Sequence, residues 1–334
     1  MTGISTPTIR PDSVERSTPS FSPPSSGRDL DTIAARLLPR RRPGQWVSAL
    51  AALVLVAMVV HTLFANKNFQ WPLVWQYFGT KEVLKGLMLT IWLTAAVMVC
   101  GYLLGIGVAV MRLSSNHVLR TFAFGYVWLI RSVPPLVQLL FWYELASLYP
   151  QLSLGIPFGH EFVTFQTAHL FTGILAAFVG LTLDVAAFSS EIVRGGILAV
   201  EQGQTEAAEA LGMGRARIFR KIVLPQAMPA IIPASGNMLI GMLKATSIVS
   251  VIAVQDLLYS VQLIYNQNYL IIPLLLVATI WYILLTTILS VGQFYVERHY
   301  SRGNRGGRDQ GLWQITRANL PIFGRLNTSL PGLS

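Results

Sequence analysis

Two ionisable side chains stand inside long apolar runs: Asp184 in GLTLDVAAF and Lys244 in GMLKATSIVSVIAV. In hydrocarbon each would cost roughly 2.5–3.5 kcal/mol on insertion scales, so such groups serve binding, pairing or gating. Asp184 could hold an ammonium or guanidinium group, act as a gate, stay protonated, or partner a buried Lys or Arg. Lys244 could meet a carboxylate, snorkel, or pair with Asp184 or Glu191, and pairing is the first expectation. Gln138 and Glu144 follow Pro134-Pro135 in another apolar run, where polar groups also serve as interhelical glue. None of these forms a catalytic centre. His61, His117, His160, His169 and His299 are scattered without metal-ligand spacing. Cys100, the single cysteine, cannot form an intrachain disulfide, and there is no Gly-Lys-Ser/Thr phosphate loop for ATP. The chemistry these residues suit is recognition of a polar solute at membrane depth, without bond making.

The composition fits that setting. Of 334 residues 53% are hydrophobic and 12% charged, about half the charge fraction of a soluble domain. The net charge of +10 could suggest nucleic acid. However, the basic residues lie in tails and alternate loops rather than in one stripe, so no nucleic acid is expected.

The elements that would hold the polar groups follow in chain order. A Ser/Pro/Thr-rich, basic tail over residues 1–45 is expected to be disordered, with Arg40, Arg41 and Arg42 consecutive before an apolar run. That run, 46–66, is long enough for one uncleaved spanning helix of about 20 residues. Loop 66–85 carries Lys67, Lys81 and Lys85. A second span follows from Gly86 to Met111, where Gly101 and Gly105 at i, i+4 permit close helix contact. An interfacial helix over Thr121–Arg131 leads into a third span, Val133–Leu152. The fourth span is Ala168–Val193, the fifth, kinked by Pro229 and Pro233, is Ala230–Val254, and the sixth is Ile271–Tyr295. A basic tail occupies 298–334. Loops 153–167 and 255–270 carry no Lys or Arg, whereas both tails and the 112–120 connector are basic. Loop 66–85 goes against this alternation. The positive-inside rule then puts both termini in the cytoplasm, for an all-α polytopic fold of about six transmembrane helices.

One polar island interrupts the apolar runs, Gln202 to Pro225. Its charges exclude it from the bilayer. Thr205 is placed to cap a helix, Glu206 and Glu209 fall in its first turn, and Gly212 and Gly214 end it. At about 100° per residue, Ala207, Ala208, Ala210, Leu211 and Gly212 share a face of small residues that another backbone could approach. A second helical turn sets Ile218, Phe219, Ile222 and Val223 opposite Arg217, Arg220 and Lys221, and Pro225 is expected to stop it.

Glu206-Ala207-Ala208, Gly212, Ile222, Leu224 and Pro225 reproduce the spacing E-A-A-x3-G-x9-I-x-L-P and resemble the coupling loop of ATP-binding-cassette importer permeases. Arg131, Pro134, Leu136, Val137 and Gln138 are similar to the Arg-Gly-x-Pro and Leu-Val-Gln run of the polar amino-acid branch, with Ser132 and Pro135 as departures. Glu191, Arg194, Gly195, Gly196 and Ile197 resemble the approach to the same loop, and Lys244, Thr246 and Ser247 the Lys-x-Thr-Ser run of amino-acid permeases. The resemblance covers about residues 86–297, with the coupling loop over 194–226. It implies a non-enzymatic permease subunit of the bacterial inner membrane, passing a polar amino acid by alternating access. It also implies cytoplasmic ATPase subunits that bind ATP and Mg, so no cofactor in this chain. A second permease subunit, an extracytoplasmic binding protein and membrane lipid complete the partners. On this reading Asp184, Lys244, Thr246, Ser247, Gln138 and Glu191 are candidates for the pathway. An ion-coupled secondary transporter or channel is the alternative, but it predicts internal repeats, and none is visible. A membrane scaffold would leave Asp184 and Lys244 without a reason.

Overall fold

The computed structural model describes residues 43–155 and 160–301. The chain divides into a unit ending at Lys67 and a unit beginning at Asn68. The first contains α1 (Pro43–Ala65), 23 residues whose apolar side chains, Leu50, Leu53, Leu55 and Met58 among them, are exposed. A helix of that length rises about 35 Å, enough to cross a bilayer. The expected tails lie largely outside the described residues.

The second unit begins with α2 (Trp71–Phe78) and α3 (Lys81–Leu113). Residues 66–85, read from sequence as a loop, are thus mostly helical. The apolar side of α2 packs near the start of α3, where Val74 and Val83 are fully buried, and Phe78 stacks on Trp281 with ring centroids 4.4 Å apart. The indole Nε1 of Trp281 also donates to the Phe78 carbonyl at 3.0 Å.

Next come α4 (His117–Ser132) and α5 (Pro135–Tyr143), bent by 100° at the break between them. Asn116 caps α4, its side chain accepting from the amides of Val118 and Leu119. The break follows from Pro134 and Pro135. Neither has an N–H to donate, and each pushes the preceding residue into extended backbone, as at Val133 (φ −98°, ψ 130°). This corrects the third span expected over Val133–Leu152. The helix from Pro135 ends at Tyr143, and a short turn, α6 (Leu145–Leu148), leads into the strands β1 (Gln151–Gly155) and β2 (Glu161–Gln166). These pair antiparallel, Leu152 opposite Phe165 and Leu154 opposite Val163, with an irregularity between Leu154 and Gly155. A small hairpin therefore stands where the sequence reads as loop.

After α7 (Thr167–Leu170) comes α8 (Gly173–Leu198), the most buried of the long helices. It packs along α3 through glycine. A Cβ on Gly101 would collide with Val185, and one on Gly105 would collide with Ser189 and lie 2.8 Å from the Ala186 carbonyl. The backbones can approach because those two side chains are absent. Around this contact Leu93, Val97, Leu139, Ala176, Ala177, Leu181 and Val185 form the main core.

The polar island folds as α9 (Gln202–Ala210) and α10 (Arg215–Ile218). A π turn over Phe219–Val223 then joins α10 to α11 (Leu224–Ala245), and a 3-10 segment Thr246–Ile252 extends it. The helical run from Arg215 to Ile252 is continuous, so Pro225 does not stop the helix, and the helix that carries the fifth span starts well before Ala230. In the π turn the Leu224 amide bonds to the Phe219 carbonyl, and Pro225 occupies the first turn of α11, where a missing N–H costs least.

The chain ends with α12 (Leu257–Asn268) and α13 (Ile271–Ser301). Among the described residues five helical runs are long and apolar enough to cross a membrane, and the bent α4–α5 pair makes a sixth if counted as one span. The architecture is all-α and polytopic, with one small β hairpin.

Asp256 caps α12 from a fully buried position, its Oδ1 accepting from the Tyr259 amide at 2.8 Å and its Oδ2 lying 3.5 Å from the Tyr282 hydroxyl. Burial pushes this carboxyl up to about 6, against the hydrogen bonds that favour its ionised form. A raised acid stabilises the fold below its ordinary value, and that contribution is lost as pH rises through about 6. Asp256→Asn keeps a capping oxygen and removes the ionisation. Melting curves are therefore expected to show wild-type Tm falling relative to Asp256→Asn as pH rises from about 5 to about 8.

Candidate functional site

The hairpin α9–α10 begins differently from its sequence reading. Glu201 occupies the capping position, and Thr205 lies inside α9, its hydroxyl donating to the Gln202 carbonyl at 2.7 Å. Glu206 therefore sits in the second turn, where it accepts from the Gln202 amide side chain at 2.9 Å. The extended backbone at Glu201 starts the helix a turn early, without a side-chain cap. The end of α9 matches expectation. Gly212 takes φ 75°, a left-handed conformation that favours glycine, and the Met213 amide returns to the Ala208 carbonyl at 3.1 Å.

Ala208, Ile218 and Val223 are buried together and close the hairpin, with Ile197, Val200, Met213 and Ile222 packed against them. The remainder of the small-residue face, Ala207, Ala210 and Gly212, is exposed, and so is Leu211 at 82%. Phe219, expected on the packed side, is instead 42% exposed. Leu224 and Pro225 are exposed, and Arg217, Arg220 and Lys221 face solvent as predicted. The hairpin thus keeps a minimal apolar core and leaves its small-residue surface open.

Immediately before the hairpin, Glu191 gathers three arginines from three helices. Arg112 of α3 bonds directly to its Oε1, Arg194 of α8 donates from Nε and Nη2 to Oε2 at 3.1 and 2.9 Å, and Arg131 of α4 stands 3.9 Å away. The arginines are further placed by aromatic rings: Arg112 lies 5.7 Å from the Phe124 centroid and Arg131 4.9 Å from that of Phe188. In the sequence Arg131 and Arg194 stand out only through resemblance and Glu191 also as a partner for Lys244, and nothing there points to their convergence with Arg112. Glu191 is an ionic hub tying α3, α4 and α8 at one end.

The other pathway candidates are dispersed. Asp184 is buried mid-way along α8, next to Leu183, whose carbonyl accepts from the Tyr126 hydroxyl at 2.7 Å. Lys244 is exposed at the end of α11. Among the described residues neither Asp184 nor Lys244 forms an ion pair, and Glu191 pairs with arginines, so the expected pairing of Lys244 with Asp184 or Glu191 is absent. The hydroxyl of Thr246 donates to the Leu243 carbonyl and that of Ser247 to the Lys244 carbonyl, both at 2.7 Å. These two residues finish α11 where it tightens into 3-10 turns. Gln138 is buried and braces the α4–α5 bend, its amide donating to the carbonyls of Ile130 at 2.6 Å and Val133 at 2.9 Å. Glu144 is exposed at the end of α5, accepting from Ser147 at 2.8 Å. Periodicity could not separate these cases, because the helices that carry them are apolar on every face.

A helical hairpin with an exposed small-residue face thus joins a bundle of helices long and apolar enough to cross a membrane. Residues 101–302 match the family model described as "Binding-protein-dependent transport system inner membrane component". The chain belongs to this family. The arginine transport system permease protein ArgU of Corynebacterium glutamicum is 41% identical over 268 residues, covering 80% of this chain and 83% of that protein. The nopaline transport system permease protein NocM of Agrobacterium fabrum is 33% identical, covering 63% and 83%. The crystal structure of an amino acid ABC transporter with histidines is similar at 34% identity and TM-score 0.56, over 65% of this chain and 94% of that one. The methionine transporter MetNI, at 20% identity and TM-score 0.52, shares the fold. The chain is therefore a multi-pass inner-membrane permease of an ATP-binding-cassette importer, in the polar amino-acid branch. It is not an enzyme, since ATP hydrolysis in such importers belongs to a separate subunit. A binding-protein-dependent system further implies a substrate-binding protein.

Proposed function

We propose that this permease carries arginine or a similar cationic amino acid into the cytoplasm, with Asp184 as the ligand for the side-chain cation. The observation that carries this reading is the 41% identity, over most of both chains, to a protein named as an arginine permease. Support from the fold is a carboxylate buried mid-helix with no ion pair among the described residues, a costly arrangement unless a cation visits it. Lys244 is exposed on α11 and does not neutralise it.

In this reading two permease subunits, identical or homologous, form the pathway, and both termini and the α9–α10 hairpin lie in the cytoplasm. The exposed face at Glu206, Ala207 and Gly212 seats against the ATPase subunit, which binds ATP and Mg. Closure of the two ATPases draws the hairpins together and reopens the pathway on the other side, where the binding protein delivers substrate. Glu191 acts in this scheme as a tie between helices rather than as a ligand.

Uptake of radiolabelled arginine by cells carrying the full importer, with unlabelled amino acids as competitors, tests the substrate. Asp184→Asn, nearly identical in size, is expected to lower arginine uptake about tenfold or more, the scale of one lost charged hydrogen bond, while the amount of importer in the membrane stays level. Unchanged arginine uptake by the variant would remove Asp184 as the ligand.

A further inference from the structure

The charge around Glu191 does not balance. Arg112 at the end of α3, Arg194 near the end of α8, and Arg120 and Arg131 from the two ends of α4 line two cavities there, and Glu191 is the one carboxylate among the described residues that line them. The larger cavity, 340 Å³, is walled by Arg112, Arg120, Thr121, Phe124 and Arg194. Arg112 and Arg194 spend part of their donor capacity on Glu191, whereas Arg120 is exposed and among the described residues its guanidinium has the Nδ1 of His117, 2.7 Å away, as its one hydrogen-bond partner. Guanidinium groups supply several N–H donors each in a planar fork, and with the Thr121 hydroxyl they make a donor set suited to the oxygens of a phosphate.

The surroundings decide which phosphate. The cavity is open, and its rim continues onto an apolar surface of α4 where Phe124 is 57%, Trp128 63%, Phe122 72% and Val118 76% exposed. A small inorganic anion gains nothing from such a surface. An amphiphile does, because its chains would cover the aromatic face while its head occupies the basic cup. The cup also lies where α3 and α8 end, at the side of the bundle that carries the basic connector, the level at which headgroups stand.

We infer that this cup binds the phosphate of an anionic phospholipid headgroup, the acyl chains lying along the exposed aromatic face of α4. Arg120 and Thr121 are the residues to alter, since neither takes part in the Glu191 ion pairs and both lie at the cavity edge. Lys81, at the opposite end of α3, is the control.

The test is native mass spectrometry of the intact importer, purified with its ATPase and titrated with phosphatidylglycerol, phosphatidylcholine or inorganic phosphate. Phosphatidylglycerol is expected to remain bound to the wild type, to bind about tenfold more weakly to Arg120→Gln, and to bind Lys81→Gln as it does the wild type. Thr121→Ala is expected to weaken it in the same direction, and inorganic phosphate is expected not to displace it. Equal phosphatidylglycerol occupancy in Arg120→Gln and wild type would overturn the assignment. Displacement by inorganic phosphate at comparable concentration would overturn the lipid in favour of a free-anion site. Absence of lipid from the assembled complex would mean that another subunit covers the cup, and would overturn it as well.

Discussion

Gly105→Leu is expected to abolish folded protein in the membrane, whereas Gly107→Leu on the same helix is expected to behave as wild type. At Gly105 even a Cβ would collide with Ser189 and stand 2.8 Å from the carbonyl oxygen of Ala186. Ser189 could turn aside only by giving up its 3.3 Å contacts to the Gly101 and Ala186 carbonyls. The Ala186 carbonyl is helix backbone and cannot turn at all, so α3 and α8 must separate. Overpacking of a core by a few methylenes costs about 1–3 kcal/mol where side chains can adjust, and more where two backbones must part. That separation would also loosen the Leu93–Val97–Val185 core built on the same contact. At Gly107 nothing lies within 4 Å of the added Cβ, which points away from the bundle. Size-exclusion profiles of detergent-solubilised variants read the difference as loss of the monodisperse peak. A normal peak for Gly105→Leu would mean that the α3–α8 contact is not as close as described.

Glu191→Gln is expected to destabilise the bundle by about 3 kcal/mol, because removing one partner of a part-buried ionic cluster leaves the others uncompensated. The side chain of Arg112 is only 13% exposed and that of Arg194 31%, so neither can fully recover its hydration. Arg131, 45% exposed, contributes little, since a solvated partner loses little. Glutamine preserves the shape and one acceptor, which separates the loss of charge from the loss of packing. The Tm of the purified variant is expected to drop by several degrees, and Arg112→Gln in the same background is expected to recover part of it. Additive losses in the double variant would argue against a coupled cluster. In cells Glu191→Gln is expected to lower importer abundance while leaving substrate preference unchanged, as befits a tie rather than a ligand.

Much of the fold was legible from sequence, for reasons that differ along the chain. The long spans announced themselves because a stretch of apolar residues without charge has few other uses: α3 and α13 extend their expected spans by a few residues, and α8, at Gly173–Leu198, is its expected span shifted toward the C-terminus. Gly101 and Gly105 were legible because two glycines one turn apart leave a groove. Gly212 was legible because a helix end followed by a reversal calls for a left-handed residue, and it has φ 75°. The failures share a cause too. Pro225 reads as a stop signal, but a π turn lets the chain continue through it, and such a turn has no sequence signature of its own. Pro134-Pro135 marked a bend correctly, yet the helix beyond it ended at Tyr143, short of the span expected. The Arg112–Glu191 bond joins residues 79 apart, a pairing that neither periodicity nor local motif can supply. The same limit produced the expected Lys244 pairing: two opposite charges in apolar runs invite it, but only the rotation of α11 decides where Lys244 points, and it points outward.

The measurement that bears most directly on the coupling role proposed for the α9–α10 hairpin is co-purification of the full chain with its ATPase, combined with ATP-driven uptake in proteoliposomes, for wild type and Ala207→Trp. Ala207 is exposed on α9, so the larger ring leaves the Ala208–Ile218–Val223 core untouched while blocking close approach to the small-residue face. The predicted result is a variant that inserts and purifies normally but loses both the ATPase and ATP-dependent uptake. A variant that retains the ATPase and transports at the wild-type rate, or a wild type that transports without ATP, would contradict the assignment of this hairpin as the coupling element.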